Sequence, residues 1–261
     1  MKKLLLLLLL FSFAGCSKDI SEVEKKSGTV IDTSIKKENI DVSTSDGIMI
    51  SANYLYKSDK IKQPLVILIH QYRSDKKQWS QNFLDSLLNK GYKVLAYDIR
   101  SHGESGKADV DISDLLSNPE QAPKDIDAVI KWAKFQMSID SNRIAVVGTS
   151  IGGSLGIYAC INSGVKSVVS VSSGKSTFEA FTGYDERRMS MARPIPRIKN
   201  VMFICGNKDN NVADEERSIY ENYLDEPKEL QVFESEKHGK FLIEEFPQIN
   251  ELIINWLSKT L

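Results

Sequence analysis

The sequence predicts an α/β protein: a mainly parallel, doubly wound sheet of about eight strands, helices on both faces, an antiparallel N-terminal hairpin at one edge and a minimal cap. Three observations carry that expectation. From Leu65 onward, short β-branched apolar runs alternate with longer amphipathic stretches, the pattern of strands buried on both faces between crossover helices. Ser45, Asp46 and Gly47 join two segments of strand character, and Asp-Gly at such a junction marks a hairpin. The pentapeptide Gly148, Thr149, Ser150, Ile151 and Gly152 lies between an apolar run and a helical stretch of small residues, as at a sharp strand-to-helix turn.

In chain order the hairpin takes residues 40–45 and 48–56. Residues 65–69 (LVILI) form a buried strand, 77–89 a helix closed by Gly91, 92–97 a strand and 123–135 an amphipathic helix. The strand at 143–147 (RIAVV) feeds the serine turn, and the helix at 152–161 leaves it, its small residues allowing close approach to the sheet. Strands at 166–171 and 201–205, a helix at 214–224, a strand at 229–233 and a terminal helix from about Phe241 to Ser258 complete the pattern. The roughly thirty residues between Val171 and Val201 leave room for one helix and a loop, which is why the cap is minimal.

The composition, 41% hydrophobic and 26% charged over 261 residues, is that of a globular chain with a sizeable core, and one domain is the default. Residues 1–15 stand apart: Lys2 and Lys3, a Leu/Phe run, then Phe13, Ala14 and Gly15 follow the secretory-signal pattern. The apolar run is shorter than the ~20 residues a bilayer span needs. The end of this segment, FAGC, resembles the bacterial lipobox, which implies that Cys16 is diacylated and becomes the mature N-terminus. Residues 16–38, polar and without a sustained apolar period, then form a tether to a domain over 39–261. The resemblance implies an extracytoplasmic, membrane-anchored lipoprotein. Ser17 stands where an aspartate would retain it at an inner membrane, favouring the outer membrane of a cell that has one.

Without Lys2 and Lys3 the chain keeps 32 basic against 35 acidic side chains, a formal charge of −3. No basic cluster is present, which argues against nucleic acid as a partner. Cys160 and Cys205 fall in a helix and at a strand end, as buried thiols rather than a disulfide. Three scattered histidines without HxxxH or CxxC spacing give no metal site, and nothing implies another cofactor.

A serine on a strained turn is a poor nucleophile until a base takes its proton, and the base needs a carboxylate to fix its tautomer and stabilise its cation. Three histidines are available: His70 at the end of LVILI, His102 in DIRSHGES and His238 in KHGK. Where a GxSxG turn carries the nucleophile, the chain order is Ser, acid, His. Only His238 satisfies it. Asp209 in CGNKD lies between the two at a strand end, with Asp214 as its rival. His70 and His102 then brace turns through side-chain hydrogen bonds.

Four features together make the chain over residues 39–261 resemble the α/β-hydrolases. IHQ at His70 sits where that family has an HG turn, YDIRSHGES is similar to its DxRGHGxS segment, GTSIG is its nucleophile elbow, and CGNKD with KHG supplies acid and base. The resemblance implies Ser150 as nucleophile, His238 as general base and then acid, and Asp209 as its orienting partner. It also implies an oxyanion hole made by the backbone N–H groups of Tyr72 and Ile151. The chain departs from the family at Gln71, which replaces the glycine after His70, and at Ser101, which replaces the glycine before His102. The Gln71 amide is a possible additional donor to the oxyanion.

The activity implied is cleavage of an acyl bond, carboxylic esters first, with a small-molecule ester or acyl compound as substrate. A serine peptidase or an acyltransferase uses the same triad, and a non-catalytic surface-binding lipoprotein is the rival from another class. Phe178, Phe181, Tyr184, Met189 and Met191 could wall a substrate pocket, with Tyr72 or Trp79 opposite, or could serve as core. Arg187, Arg188 and Arg193 could meet an acidic substrate group or form a solvated charge run.

Overall fold

The computed structural model describes residues 34–183 and 197–261. Its strands are β1 (Lys36–Ser43), β2 (Met49–Tyr56), β3 (Gln63–Ile69), β4 (Lys93–Tyr97), β5 (Ile139–Thr149), β6 (Ser167–Val171), β7 (Val201–Gly206) and β8 (Lys228–Phe233). They form one sheet in the order β1-β2-β4-β3-β5-β6-β7-β8. β1 and β2 pair antiparallel, as do β2 and β4, and every later pairing is parallel.

Because successive strand residues face opposite sides, LVILI divides between two cores. Leu65, Ile67 and Ile69 belong to the core shared with residues of α3 (Ala122–Phe135), α4 (Ile151–Asn162), α5 (Lys175–Thr182) and α6 (Val212–Tyr223). Val66 and Leu68 belong to the core on the opposite face, shared with residues of α1 (Gln81–Asn89) and α8 (Ile249–Thr260). All five are 0% exposed, each contributing about 1.5–3 kcal/mol relative to leaving it in water. Burial on both faces is what makes β3 and β5 read as unbroken apolar runs.

Four elements differ from the sequence expectation, each for a local reason. β1 begins at Lys36, because residues 36–38, assigned above to the tether, pair with Tyr54, Leu55 and Tyr56. The helix expected over 77–89 is a short 3-10 turn, Lys76–Gln78, followed by α1. Ser80, with extended backbone (ψ 146°), separates them and caps α1 by accepting from the Phe83 N–H. The terminal helix is two pieces, α7 (Lys240–Glu245) and α8, because Pro247 disfavours helical geometry at Phe246, which has ψ 77°. Finally α2 (Ile112–Ser117), capped by Asp111, went unpredicted, since one buried residue in six cannot display a period.

The parallel strands all run toward one rim. There β3, β4, β5, β7 and β8 hand over to the loops bearing His70, His102, Ser150, Asp209 and His238, the end of an open α/β sheet where ligands bind.

Candidate active site

Ser150 sits between β5 and α4 at φ 52° and ψ −120°, a region non-glycine residues rarely occupy. Its N–H donates to the Val171 carbonyl at 2.8 Å and its carbonyl accepts from Gly153 at 2.9 Å, so the strain is held by hydrogen bonds on both sides. The flanking glycines are steric requirements. A Cβ on Gly148 would lie 2.1 Å from the Gly152 carbonyl carbon, and one on Gly152 would lie 2.4 Å from the Ile69 carbonyl oxygen. Ser150 is half-buried, and its hydroxyl makes no hydrogen bond to another described residue.

Asp209 and His238 come together across 29 residues, His238 Nδ1 standing 2.7 Å from Asp209 Oδ2. Asp209 is buried and the His238 side chain is 39% exposed; that bond leaves Nε2 as the ring nitrogen able to exchange protons with a substrate. Asp214, the rival acid, is exposed in the first turn of α6. A second buried carboxyl, Glu216, accepts from the Ser173 N–H at 2.7 Å and from its hydroxyl at 3.1 Å. Burial pushes this carboxyl well above the usual carboxylate range.

The loop after β3 is fixed by both remaining histidines. His70 Nδ1 donates to the Gln71 carbonyl at 2.7 Å, and His70 Nε2 accepts from the Ile99 N–H at 2.9 Å. Burial lowers the His70 pKa to about 4 and keeps the ring neutral. The Gln71 carbonyl also accepts from Ser74 N–H. A trans peptide points its N–H opposite its carbonyl, so these two bonds turn the Tyr72 N–H the other way. Neither the Tyr72 nor the Ile151 N–H meets an acceptor among the described residues. His102 Nε2 accepts from the Arg73 N–H at 3.2 Å and its Nδ1 reaches the Arg100 carbonyl at 3.0 Å. Both histidines thus brace turns, as expected.

The rest of DIRSHGES is held by its own polar contacts. Asp98 bonds Lys76 Nζ and the Lys76 N–H, both at 2.6 Å, and the Glu104 N–H at 2.8 Å. Arg100 reaches buried Asp125 and the hairpin residue Asp46. Ser101 holds φ 64° where the family has glycine, and its hydroxyl accepts from the Ala108 N–H at 2.9 Å.

Gln71, considered above as a donor to the oxyanion, has its side-chain oxygen engaged elsewhere, and Gln78, which the sequence did not single out, stands behind it. Gln71 Oε1 accepts from the Lys240 N–H at 2.7 Å, Gln78 Oε1 accepts from the Gln71 N–H at 3.3 Å, and Gln78 Nε2 donates to Thr149 Oγ1 at 3.0 Å. The departure at Gln71 was visible in the sequence; its partner 169 positions away was not.

An open cleft of about 400 Å³ borders this loop, lined by Tyr72, Arg73, His102, Val110, Ile112 and Leu115 among others. Phe178 and Phe181 are buried in the core, and Trp79, packed against Phe83, lines a second cleft with Gln78 and Lys240. Tyr184, Arg187, Arg188, Met189, Met191, Arg193 and Cys16 lie outside the described residues. Cys160 and Cys205 are free thiols whose pKa values burial raises. Among the described residues no three His, Cys, Asp or Glu side chains gather as a metal would require.

Residues 64–192 match the α/β-hydrolase fold family, a span that ends before Asp209 and His238. An uncharacterized 31.7 kDa protein in the traX-finO intergenic region of Escherichia coli is 33% identical over 113 residues, 43% of this chain and 37% of that protein. The quorum-quenching protein AidA of Acinetobacter baumannii (strain MDR-ZJ06) is 27% identical over 115 residues, 44% of this chain and 36% of AidA. The chain therefore spans less than two-fifths of the length of either relative. The esterase Pf2001 of Pyrococcus furiosus superimposes with a TM-score of 0.67 at 22% identity, over 88% of this chain and 94% of that one, a likeness of fold.

Proposed function

We propose that this chain, which has the α/β-hydrolase fold, is a serine hydrolase that cleaves carboxylic esters through an acyl-enzyme on Ser150, held outside the cytoplasm by a lipid on Cys16. The observation that carries the reaction is the pairing of a strained serine elbow at the end of β5 with an Asp209–His238 hydrogen bond at the same rim of the sheet. A fold retained only for binding has no physical need for backbone strain at a serine.

In this reading His238 Nε2 takes the Ser150 proton as Oγ attacks the ester carbonyl carbon. The carbonyl oxygen becomes an oxyanion and accepts from the Tyr72 and Ile151 N–H groups, each such donor contributing about 10²–10³-fold in rate. His238, now an imidazolium facing Asp209, passes the proton to the departing alkoxide, leaving an acylated serine and a free alcohol. Water repeats the cycle: His238 takes its proton, the oxyanion re-forms, and the acid leaves as Ser150 recovers its hydrogen. The cleft beside Tyr72 suits a small substrate with an apolar portion, and the fold neighbour described as an esterase supports an ester over an amide.

The test is labelling with a fluorophosphonate. A single adduct on Ser150, absent from Ser150→Ala, together with a fall of about 10⁴-fold or more in ester turnover for that variant, is the expected result. A folded wild type that takes no label removes the assignment. For the anchor, mass analysis of the mature N-terminus should find a diacylated Cys16, and Cys16→Ala should release the chain from membranes.

A further inference from the structure

A ring held at one nitrogen by Asp209 still needs its backbone fixed if the other nitrogen is to face Ser150. Locally the His238 carbonyl accepts from the Phe241 N–H at 3.1 Å, which leaves the Lys240 N–H to find its acceptor elsewhere. Gly239, at φ 57°, precedes α7 and has no side chain to cap it. The cap comes instead from Gln71, whose Oε1 accepts from the Lys240 N–H. Gln71 is itself 8% exposed, with its backbone N–H held by Gln78 and Gln78 held by Thr149, the neighbour of the nucleophile. The packing is close: a Cβ on Gly239 would stand 2.2 Å from Gln71 Oε1 and 3.4 Å from Thr149 Cβ.

Two side-chain amides thus join the three loops the reaction needs, those of the nucleophile, the oxyanion hole and the base. We infer that Gln71, with Gln78 behind it, is a positioning residue that sets where His238 lies relative to Ser150 and to the Tyr72 N–H, the role resting on the serine-hydrolase reading above. The amide suits the task because one group must accept from Lys240 while remaining uncharged. A carboxylate in its place would accept equally well but would favour the protonated imidazole nearby.

The experiment compares Gln71→Leu, Gln71→Glu and wild type by amide hydrogen exchange at Lys240, fluorophosphonate active-site titration and the pH profile of ester hydrolysis. In Gln71→Leu the Lys240 amide should exchange about tenfold faster or more. Its kcat per titrated site should fall about 10- to 100-fold, with KM within about twofold, as misplacement of a reacting group costs. Gln71→Glu should keep Lys240 protected while moving the acid limb of kcat/KM upward by about one pH unit. A purely structural brace would lower stability and the number of titratable sites and leave kcat per site unchanged, which would overturn the inference. So would slow Lys240 exchange in Gln71→Leu. A wild type unreactive toward the fluorophosphonate overturns the hydrolase reading instead, and the exchange measurement still decides whether Gln71 holds the loop.

Discussion

Around Ser150 the chain is shaped by hard contacts: Gly148 lies against Gly152 in the same turn, and Gly152 against the Ile69 carbonyl at the end of the neighbouring strand β3, at distances no Cβ tolerates. Around His238 it is shaped by hydrogen bonds from residues 29 and 169 positions away, Asp209 and Gln71. The family match follows the same division, reaching residue 192 and so including the elbow but neither Asp209 nor His238. The serine turn owes its shape to the glycines on either side of Ser150 and to the strands next to β5, whereas the Asp209–His238 pair exists only when β7, β8 and the loop after β3 are all in place. Damage to the glycines that fold the serine turn should therefore appear as lost stability, and damage to the Asp209–His238 pair as lost rate in a protein that still folds.

The sharpest test of that contrast is Asp209→Asn. It should lower kcat by about 10⁴-fold, the cost of leaving a triad histidine in the wrong tautomer, with the melting temperature little changed. Asp214→Ala, at an exposed helix position, should stay within about twofold of wild type. The reverse ranking would move the acid to Asp214 and break the comparison.

The two glycine-rich turns should differ in stability. Gly152→Ala drives a Cβ into the backbone oxygen of Ile69, with no flexible atom to yield, and should cost about 3 kcal/mol or more. Gly239→Ala meets the movable end of Gln71 and a positive φ, and should cost about 1 kcal/mol. Urea midpoints read both; equal costs would mean that the base turn is as rigid as the elbow.

His70 supplies a pH signature for the oxyanion side. Its pKa is about 4 in the folded protein against 6.5 unfolded, so its contribution is complete above pH 6.5 and is lost as pH falls toward 4. About 3 kcal/mol disappears over that interval. The difference in urea stability between wild type and His70→Asn, followed from pH 7 to 4.5, isolates this histidine, and a constant difference would show that the ring is not held neutral. The effect is smaller still for Ser101→Gly, where removing a non-glycine residue from φ 64° is offset by the lost bond to Ala108 and should leave stability within about 1 kcal/mol.

Much of the site was legible before any coordinate. GTSIG carries its own sterics, and with CGNKD and KHG in the required order it left one assignment for base and a preferred one for acid. The bracing roles of His70 and His102 followed from the same ordering. What resisted reading was mostly short or interrupted: α2, with one buried residue, and the breaks at Ser80 and Pro247, where a cap and a proline divide stretches that share one apolar period. Phe178 and Phe181 show the converse limit, since an aromatic residue near a site looks the same in sequence whether it lines a pocket or fills a core.

By itself the sequence determined the fold class, the direction in which the strands run and the strained serine turn, because periodicity and steric exclusion are properties of contiguous residues. Only the tertiary structure decided that Gln71 caps the helix after His238, that Glu216 is buried against Ser173, and that Asp98 binds Lys76 while Arg100 joins Asp46 to Asp125. Each of these depends on hydrogen bonds or burial between strands far apart in the chain, and partners of that kind acquire a distance only when the sheet brings their ends to one rim.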